Sequence, residues 1–210
     1  MRNTPLTIHA ITPGSPAADA GVAAGSTLVS LNGRSVTDAL GLRFAETAGR
    51  VVLVWRDVEG REQRAVITKP DDLPLGLDVD PLTMHACNNK CTFCFAHQNA
   101  RGMRRALYFK DDDYRFSFLN GNFATLTNLT DADTARIIEE RLSPLYISVH
   151  ATDRILRNQI LGNPKAPNVL EQIGRFAAAR IEMHTQVVLC PGVNDGAHLA
   201  KTLDDLQPFY

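Results

Sequence analysis

One short segment divides this chain into two textures. Lys69-Pro70-Asp71-Asp72-Leu73-Pro74 is polar and proline-bearing. Proline has no backbone N–H to donate and a ring that obstructs a helix interior, so no helix or central strand runs through it. The 210 residues therefore separate into a domain over residues 1–70 and another over residues 71–210.

The first stretch is a run of short apolar segments between turn residues. Residues 8–11 alternate weakly. Ser15 is placed to cap a short helix opened by Pro16 and Ala17-Ala18-Asp19-Ala20, and Gly21 suits its end. Residues 27–31 predict a strand, and Asn32-Gly33 predicts a tight hairpin turn. Residues 51–55 form a continuous apolar strand, turned by Glu59-Gly60 into a strand over 63–68. The second stretch alternates strands with helices. Strands are expected over 115–119, 145–149 and 183–189. Helices are expected over 132–141 behind Thr130-Asp131, from Thr152-Asp153, from Asn168 to Ala179, and over 195–206. That alternation predicts parallel strands with crossover helices. The fold class is α/β, preceded by a small β-rich module.

Composition excludes some functions. Lys and Arg number 22 against 23 Asp and Glu, a net charge of -1, so there is no overall basic footprint and nucleic acid is not indicated. No apolar run is long enough to span a membrane. Residues 1–10 lack a signal-peptide pattern, and a cytoplasmic location is expected. In that compartment four cysteines point to metal or redox chemistry rather than structural disulfides.

Three of those cysteines lie together in Cys87-Asn88-Asn89-Lys90-Cys91-Thr92-Phe93-Cys94. Thiolates are soft donors that suit zinc or iron–sulfur clusters. A closed zinc site or an all-cysteine cluster takes four ligands, and the loop supplies three. A cluster held by three thiolates leaves one iron open to an outside ligand. His85 and His97 flank the loop and offer the alternative of a Cys3His zinc site. Cys190 is first of all an inert buried thiol, with a fourth ligand or a redox thiol as the other readings. Asp111-Asp112-Asp113 reads as a solvated turn balanced by Arg104, Arg105, Lys110 and Arg115, with cation binding as the alternative.

Ile11-Thr12-Pro13-Gly14-Ser15-Pro16-Ala17, then Gly21, Gly25, Leu28, Leu31-Asn32-Gly33 and Val36, resemble a bacterial PDZ domain. The resemblance implies a groove that takes a peptide or protein C-terminus by strand addition. Pro74-Leu75-Gly76-Leu77 is similar to the loop that would hold the carboxylate. A PDZ-shaped spacer without a ligand is the other reading.

The spacing C-x3-C-x-aromatic-C resembles the radical SAM signature. Further along, Leu119-Asn120-Gly121-Asn122-Phe123, Ser148-Val149-His150-Ala151-Thr152, Leu161-Gly162-Asn163-Pro164 and Val188-Leu189-Cys190-Pro191-Gly192 are similar to one bacterial family. Its members join an N-terminal PDZ domain to a radical SAM barrel and a C-terminal domain of unknown function, with no assigned reaction. The resemblance implies a [4Fe-4S] cluster on Cys87, Cys91 and Cys94 and S-adenosylmethionine (SAM) chelated at the open iron. It further implies an external donor that would reduce the cluster, and reductive cleavage of the SAM carbon–sulfur bond to methionine and a 5'-deoxyadenosyl radical that would act on an unknown substrate. Phe93 takes the aromatic position near the adenine.

The cysteine loop is expected to follow a first barrel strand over 82–86, at the strand ends where barrel sites form. A second SAM contact is expected after the second strand, where many relatives carry Gly-Gly-Glu and this chain has Asn120-Gly121-Asn122. Gly121 allows close backbone approach, and an Asn carbonyl stands where the carboxylate is missing.

Period-two alternation adds lumen candidates: Tyr146, Ser148 and His150 on one strand, His184, Gln186 and Cys190 on another. Of these, His150 and Gln186 are candidate contacts to SAM or substrate, and each also fits a satisfied core polar group. The rival to an enzyme is a non-catalytic PDZ peptide-binding protein with a structural metal site. The chain reaches Tyr210 with fewer strand–helix units than such a barrel carries. The second domain is therefore expected to be the N-terminal part of a barrel, from a fragment or a truncated product, and a poor enzyme alone.

Overall fold

A computed structural model describes residues 6–210. Residues 1–5, included above in the first domain and in the signal-peptide reading, lie outside the described residues. The chain forms two compact units that divide between Thr83 and Met84.

The first unit is an antiparallel sheet. Strand β1 (Leu6–Ile11) leads to helix α1 (Pro16–Asp19), then β2 (Thr27–Leu31), β3 (Arg34–Ser35), α2 (Ala39–Ala45), β4 (Arg50–Arg56), β5 (Glu62–Thr68) and β6 (Leu77–Val79). The order across the sheet is β5-β4-β2-β1-β6, with β3 paired to β2. Local chemistry sets the corners. The Ser15 hydroxyl accepts the Ala18 N–H at 3.3 Å and starts α1 as expected. Asn32 and Gly33 both have positive φ, 51° and 76°, the geometry of the tight turn whose twist matches its flanking strands. Val51, Leu53 and Trp55 alternate inward along β4 and pack with Ile8, Leu31 and Leu75. The expected junction at 70/71 falls before β6. Leu77 pairs with Ile11 and Val79 with Ile8, so the first sheet draws its last strand from beyond the prolines.

The second unit is α/β with parallel strands. Helices α3 (Phe95–Gln98), α4 (Tyr114–Asn120) and α5 (Asp131–Glu139) precede β7 (Leu145–Ser148), and α6 (Arg154–Leu161) and α7 (Val169–Ala178) lead to β8 (Met183–Gln186), followed by α8 (Ala197–Leu206). Strands β7 and β8 run parallel, from Leu145 opposite Met183 to Ser148 opposite Gln186. A third parallel segment joins at Ala124, bridged to Ile147. The caps read from sequence hold. Thr130 and Asp133 form a reciprocal capping box on α5, Asp153 caps α6 and Asn168 caps α7. Ile137, Ile147, Ile160 and Phe176 fill the core.

Three sequence expectations are corrected. Residues 115–119 are helical, not a strand. Phe116 and Phe118 alternate with polar residues, but Asp113 accepts the Arg115 N–H at 3.0 Å and Gly121 closes the helix at φ 74°. The Ser117 hydroxyl then serves the edge of β7, donating to the Tyr146 carbonyl at 3.0 Å and accepting its N–H at 2.8 Å. Residues 82–86 form no strand; Ala86 makes a single antiparallel bridge to Asp111. The third correction is that β8 ends at Gln186, because the Val188 N–H turns to the His150 ring. Among the described residues, no helix is long and apolar enough to cross a membrane.

Candidate functional site

The thiol loop is fastened to the end of α6. Lys90 donates its N–H to the Leu161 carbonyl at 2.8 Å, and Thr92 donates to the Ile160 carbonyl at 3.0 Å. Cys91 lies between these anchors. The last carbonyls of a helix have no intrahelical donor, so this contact satisfies both partners. Gly162 ends the helix at φ 56°, and a Cβ there would stand 2.6 Å from the Lys90 carbonyl.

Asn89, only 1% exposed, ties the loop to the strand side. Its amide donates to Thr125 and Thr127 at 2.8 Å and approaches the Cys87 sulfur at 3.5 Å. Its side-chain oxygen accepts from Asn163 at 2.8 Å, and its carbonyl accepts from the Lys110 ammonium at 2.7 Å. Buried Asp112 in turn accepts the Thr125 N–H and hydroxyl at 2.5 and 2.6 Å. The aspartate run is therefore not a solvated turn: Asp112 and Asp113 are buried, and Asp113 is bound to Arg115 at 2.7 Å.

All four cysteines are free thiols and half-buried. Burial pushes the Cys87 thiol up. Burial and then the neighbouring Cys87 and Cys94 sulfurs push Cys91 up to about 11. Thiolates that destabilise one another this way are relieved by a bound cationic centre. The two histidines weighed for zinc face other partners: the His97 ring nitrogen lies 3.0 Å from the Lys110 ammonium, and the His85 ring packs edge-on to Tyr114. Among the described residues, no three His, Cys, Asp or Glu side chains converge on a single-ion position. Cys190 sits in its own turn, its N–H donated to Asn194 at 2.7 Å and its thiol directed at the Val188 carbonyl.

Phe93 meets His150 edge-on, with ring centroids 4.7 Å apart. His150 is 2% exposed and has φ 65°, a left-handed conformation rare for a residue with a Cβ. Its Nδ1 accepts the Val188 N–H at 3.2 Å, which leaves the proton on Nε2. Burial, helped by the Arg157 charge, pulls its pKa down to about 4. The Gln186 carbonyl accepts the N–H groups of Val149 and His150 at 2.9 and 3.3 Å, so the backbone joins these two candidates. Asn120, Gly121 and Asn122 sit at the end of α4 rather than after a strand. The Asn122 amide donates to Asp111 at 2.8 Å, and a Cβ on Gly121 would lie 3.4 Å from the Tyr146 ring. Tyr146 also packs on His184 at 4.7 Å, and Ser148 is buried on β7.

Sequence reasoning missed Asn89 and Arg157. Arg157 is 1% exposed. It donates to the carbonyls of Val149 at 3.0 Å, Thr125 at 2.9 Å, Ser148 at 3.3 Å and Pro167 at 3.5 Å. Among the described residues no carboxylate pairs with it. Burial lowers its pKa to about 10, against the pull of Asp112 and Cys91. A helix-face period of three to four residues linking Arg157 to Ile160 and Leu161 was the available signal.

In the first unit, Leu75 donates its N–H to the Glu46 carboxylate at 2.8 Å, and Gly76 accepts the Thr12 N–H at 2.9 Å with φ 82°. Burial raises the Glu46 pKa, opposed by that N–H and by Lys69 and Arg43.

The chain thus joins an antiparallel module to an α/β unit with parallel strands that presents three thiols on one pinned loop. Residues 7–55 match the PDZ domain family, and residues 69–210 match the radical SAM-like domain family. The chain belongs to the radical SAM-like domain family and carries a PDZ domain at its N-terminal side. No curated protein matches the chain. The donor set fits the cofactor this family implies: three soft thiols stand on one anchored loop, and among the described residues no carboxylate bonds the buried Arg157, which feels the charge of Cys91.

Two predictions follow from this geometry. Gly162→Ala forces the Lys90 carbonyl away, so iron bound after anaerobic reconstitution falls severalfold while the far-UV circular dichroism is kept. His150 has a depressed folded pKa, so its contribution is whole above about 6.5 and is lost as pH falls towards 4. At about 1.4 kcal/mol per unit, this is about 3 kcal/mol. Urea unfolding of the wild-type chain between pH 7 and pH 4 should show that loss, and His150→Leu should flatten it. Asp113 acts in a different window. Burial works to raise its pKa, but hydrogen bonds from Arg115 hold it below the usual 3.8, so its contribution is lost only at lower pH.

Proposed function

We propose that the chain is a radical SAM iron–sulfur enzyme in which Cys87, Cys91 and Cys94 hold a [4Fe-4S] cluster. The observation that carries this reading is the thiol loop itself, pinned on both sides of Cys91 by the last carbonyls of α6. When bound, the cluster supplies the electron, taken from an external donor, that cleaves SAM to a 5'-deoxyadenosyl radical for hydrogen abstraction from a substrate. The remaining roles belong to the protein. Phe93 offers a flat apolar face, held by the His150 ring. His150 presents a neutral Nε2–H donor, its tautomer set by the Val188 N–H. Gly121 lets a ligand approach the backbone, Asn120 and Asn122 supply amide groups without a carboxylate, and Gln186 lies beside His150. These residues orient SAM and shield it from water.

The first unit binds an extended peptide along the outer edge of β6, the last strand in its sheet. A C-terminal carboxylate reaching the Leu75-Gly76 turn must displace Glu46 from the Leu75 N–H.

Anaerobic reconstitution with iron and sulfide tests the enzyme reading. The expected result is a visible charge-transfer band and an electron paramagnetic resonance (EPR) signal that changes on adding SAM, both lost in Cys91→Ala. Stoichiometric zinc with no iron uptake would overturn it in favour of a structural metal. For the peptide site, Glu46→Ala frees the Leu75 donor. It is expected to raise the affinity of carboxylate-ended peptide pools severalfold over the same pools amidated, measured by fluorescence anisotropy; equal affinities would refute the site.

A further inference from the structure

We propose that Arg157 is the counter-ion of the thiol-held cluster, a positioning residue whose buried positive charge makes the cluster easier to reduce. The inference rests on the cofactor reading above and adds a residue to it. Arg157 lies on α6 one turn before Ile160 and Leu161, whose carbonyls anchor the thiol loop, and Cys91 is close enough to act on its charge. One guanidinium nitrogen donates to the Thr125 carbonyl. The Thr125 hydroxyl accepts from Asn89, whose amide reaches the Cys87 sulfur. A continuous polar path therefore joins the cation to a cluster ligand.

Among the described residues, the charge of that cation has no anion at contact distance. Its four acceptors are all backbone carbonyls. A buried ion without a partner is costly; among the described residues, carbonyl dipoles bond this one, and Asp112 and Cys91 act on its charge without a hydrogen bond to it. Three thiolates around an oxidised [4Fe-4S] core leave one net negative charge, and the electron from an external one-electron donor makes it two. The cluster would provide the anion that Arg157 lacks, and more of it after reduction. Interaction with Arg157 therefore favours the reduced state. Asp112, buried and bonded by Thr125 and Thr127, opposes it.

The test is a dithionite redox titration of reconstituted protein without SAM, followed by EPR, with iron and sulfide counted in each sample. Arg157→Gln is expected to weaken the reduction equilibrium about tenfold, a midpoint about 59 mV more negative for one electron. Arg157→Lys loses the same carbonyl bridges but keeps the charge, and should stay near wild type. Asp112→Asn should move the midpoint the other way. Equal midpoints in wild type and Arg157→Gln, or equal shifts in the Gln and Lys variants, would overturn the proposal. Should Arg157→Gln fail to fold by circular dichroism, Arg157→Met, which also removes the charge but fills the buried site, is titrated in its place: a midpoint more negative than wild type supports the counter-ion, and an equal one refutes it. A wild-type chain that takes up no iron defeats the cofactor reading, and this proposal with it.

Discussion

The contact between the thiol loop and the end of α6 sets the geometry of the second unit's site. Two N–H groups flanking Cys91 fill two carbonyls that the helix leaves open. Each such bond adds only about 1 kcal/mol, so the pair does not hold the loop by strength. It holds it by exclusion, because Gly162 lets the Lys90 carbonyl approach closer than any side chain would allow. Asn89 then fixes the other end of the loop against Thr125 and Thr127. Helix α6 is itself positioned by Asp153 at its start and by Arg157, which bonds the carbonyls where β7 ends.

That arrangement sets up an electrostatic tension. Burial opposes charge on Cys87, burial and the neighbouring sulfurs oppose it on Cys91, and burial opposes charge on Arg157. Each group is disfavoured alone, and each would be stabilised by the other's charge. Asp112 is a buried acceptor for hydroxyl and backbone donors. Groups whose charge is disfavoured in this way concentrate at functional sites, which links the thiol loop to Arg157.

Legibility in the sequence followed the range of the interactions. Ser15, Asn32-Gly33, Thr130, Asp153 and Asn168 act within three or four residues, and each of their turns and caps was readable. The thiol trio was readable because its spacing is local. Residues 115–119 were misread because a two-residue alternation of Phe116 and Phe118 competes with caps at Asp113 and Gly121, and the caps prevail. β6 was unreadable because its partner β1 lies across the whole first unit. Arg157 and Asn89 were missed because arginine and asparagine look like surface residues until the fold wraps carbonyls and hydroxyls around them.

The same charge logic explains why His150 is neutral. In the proposed reading the ligand is a sulfonium, which brings its own positive charge into the site. A protonated imidazole against Phe93 would repel it and would add to the charge of Arg157. The structure disfavours protonation twice: burial opposes the charged ring, and the Val188 N–H occupies Nδ1, the nitrogen that would otherwise accept the second proton. What remains is a donor of fixed direction on a residue held at positive φ. Backbone strain of that kind persists only where the surroundings over-determine it, and here they do, through Gln186 at the His150 N–H, Asn194 at its carbonyl and Phe93 at its ring. A strained, neutral and directed donor beside the aromatic residue of the thiol loop is what a site must offer to orient a cationic ligand without competing with its charge.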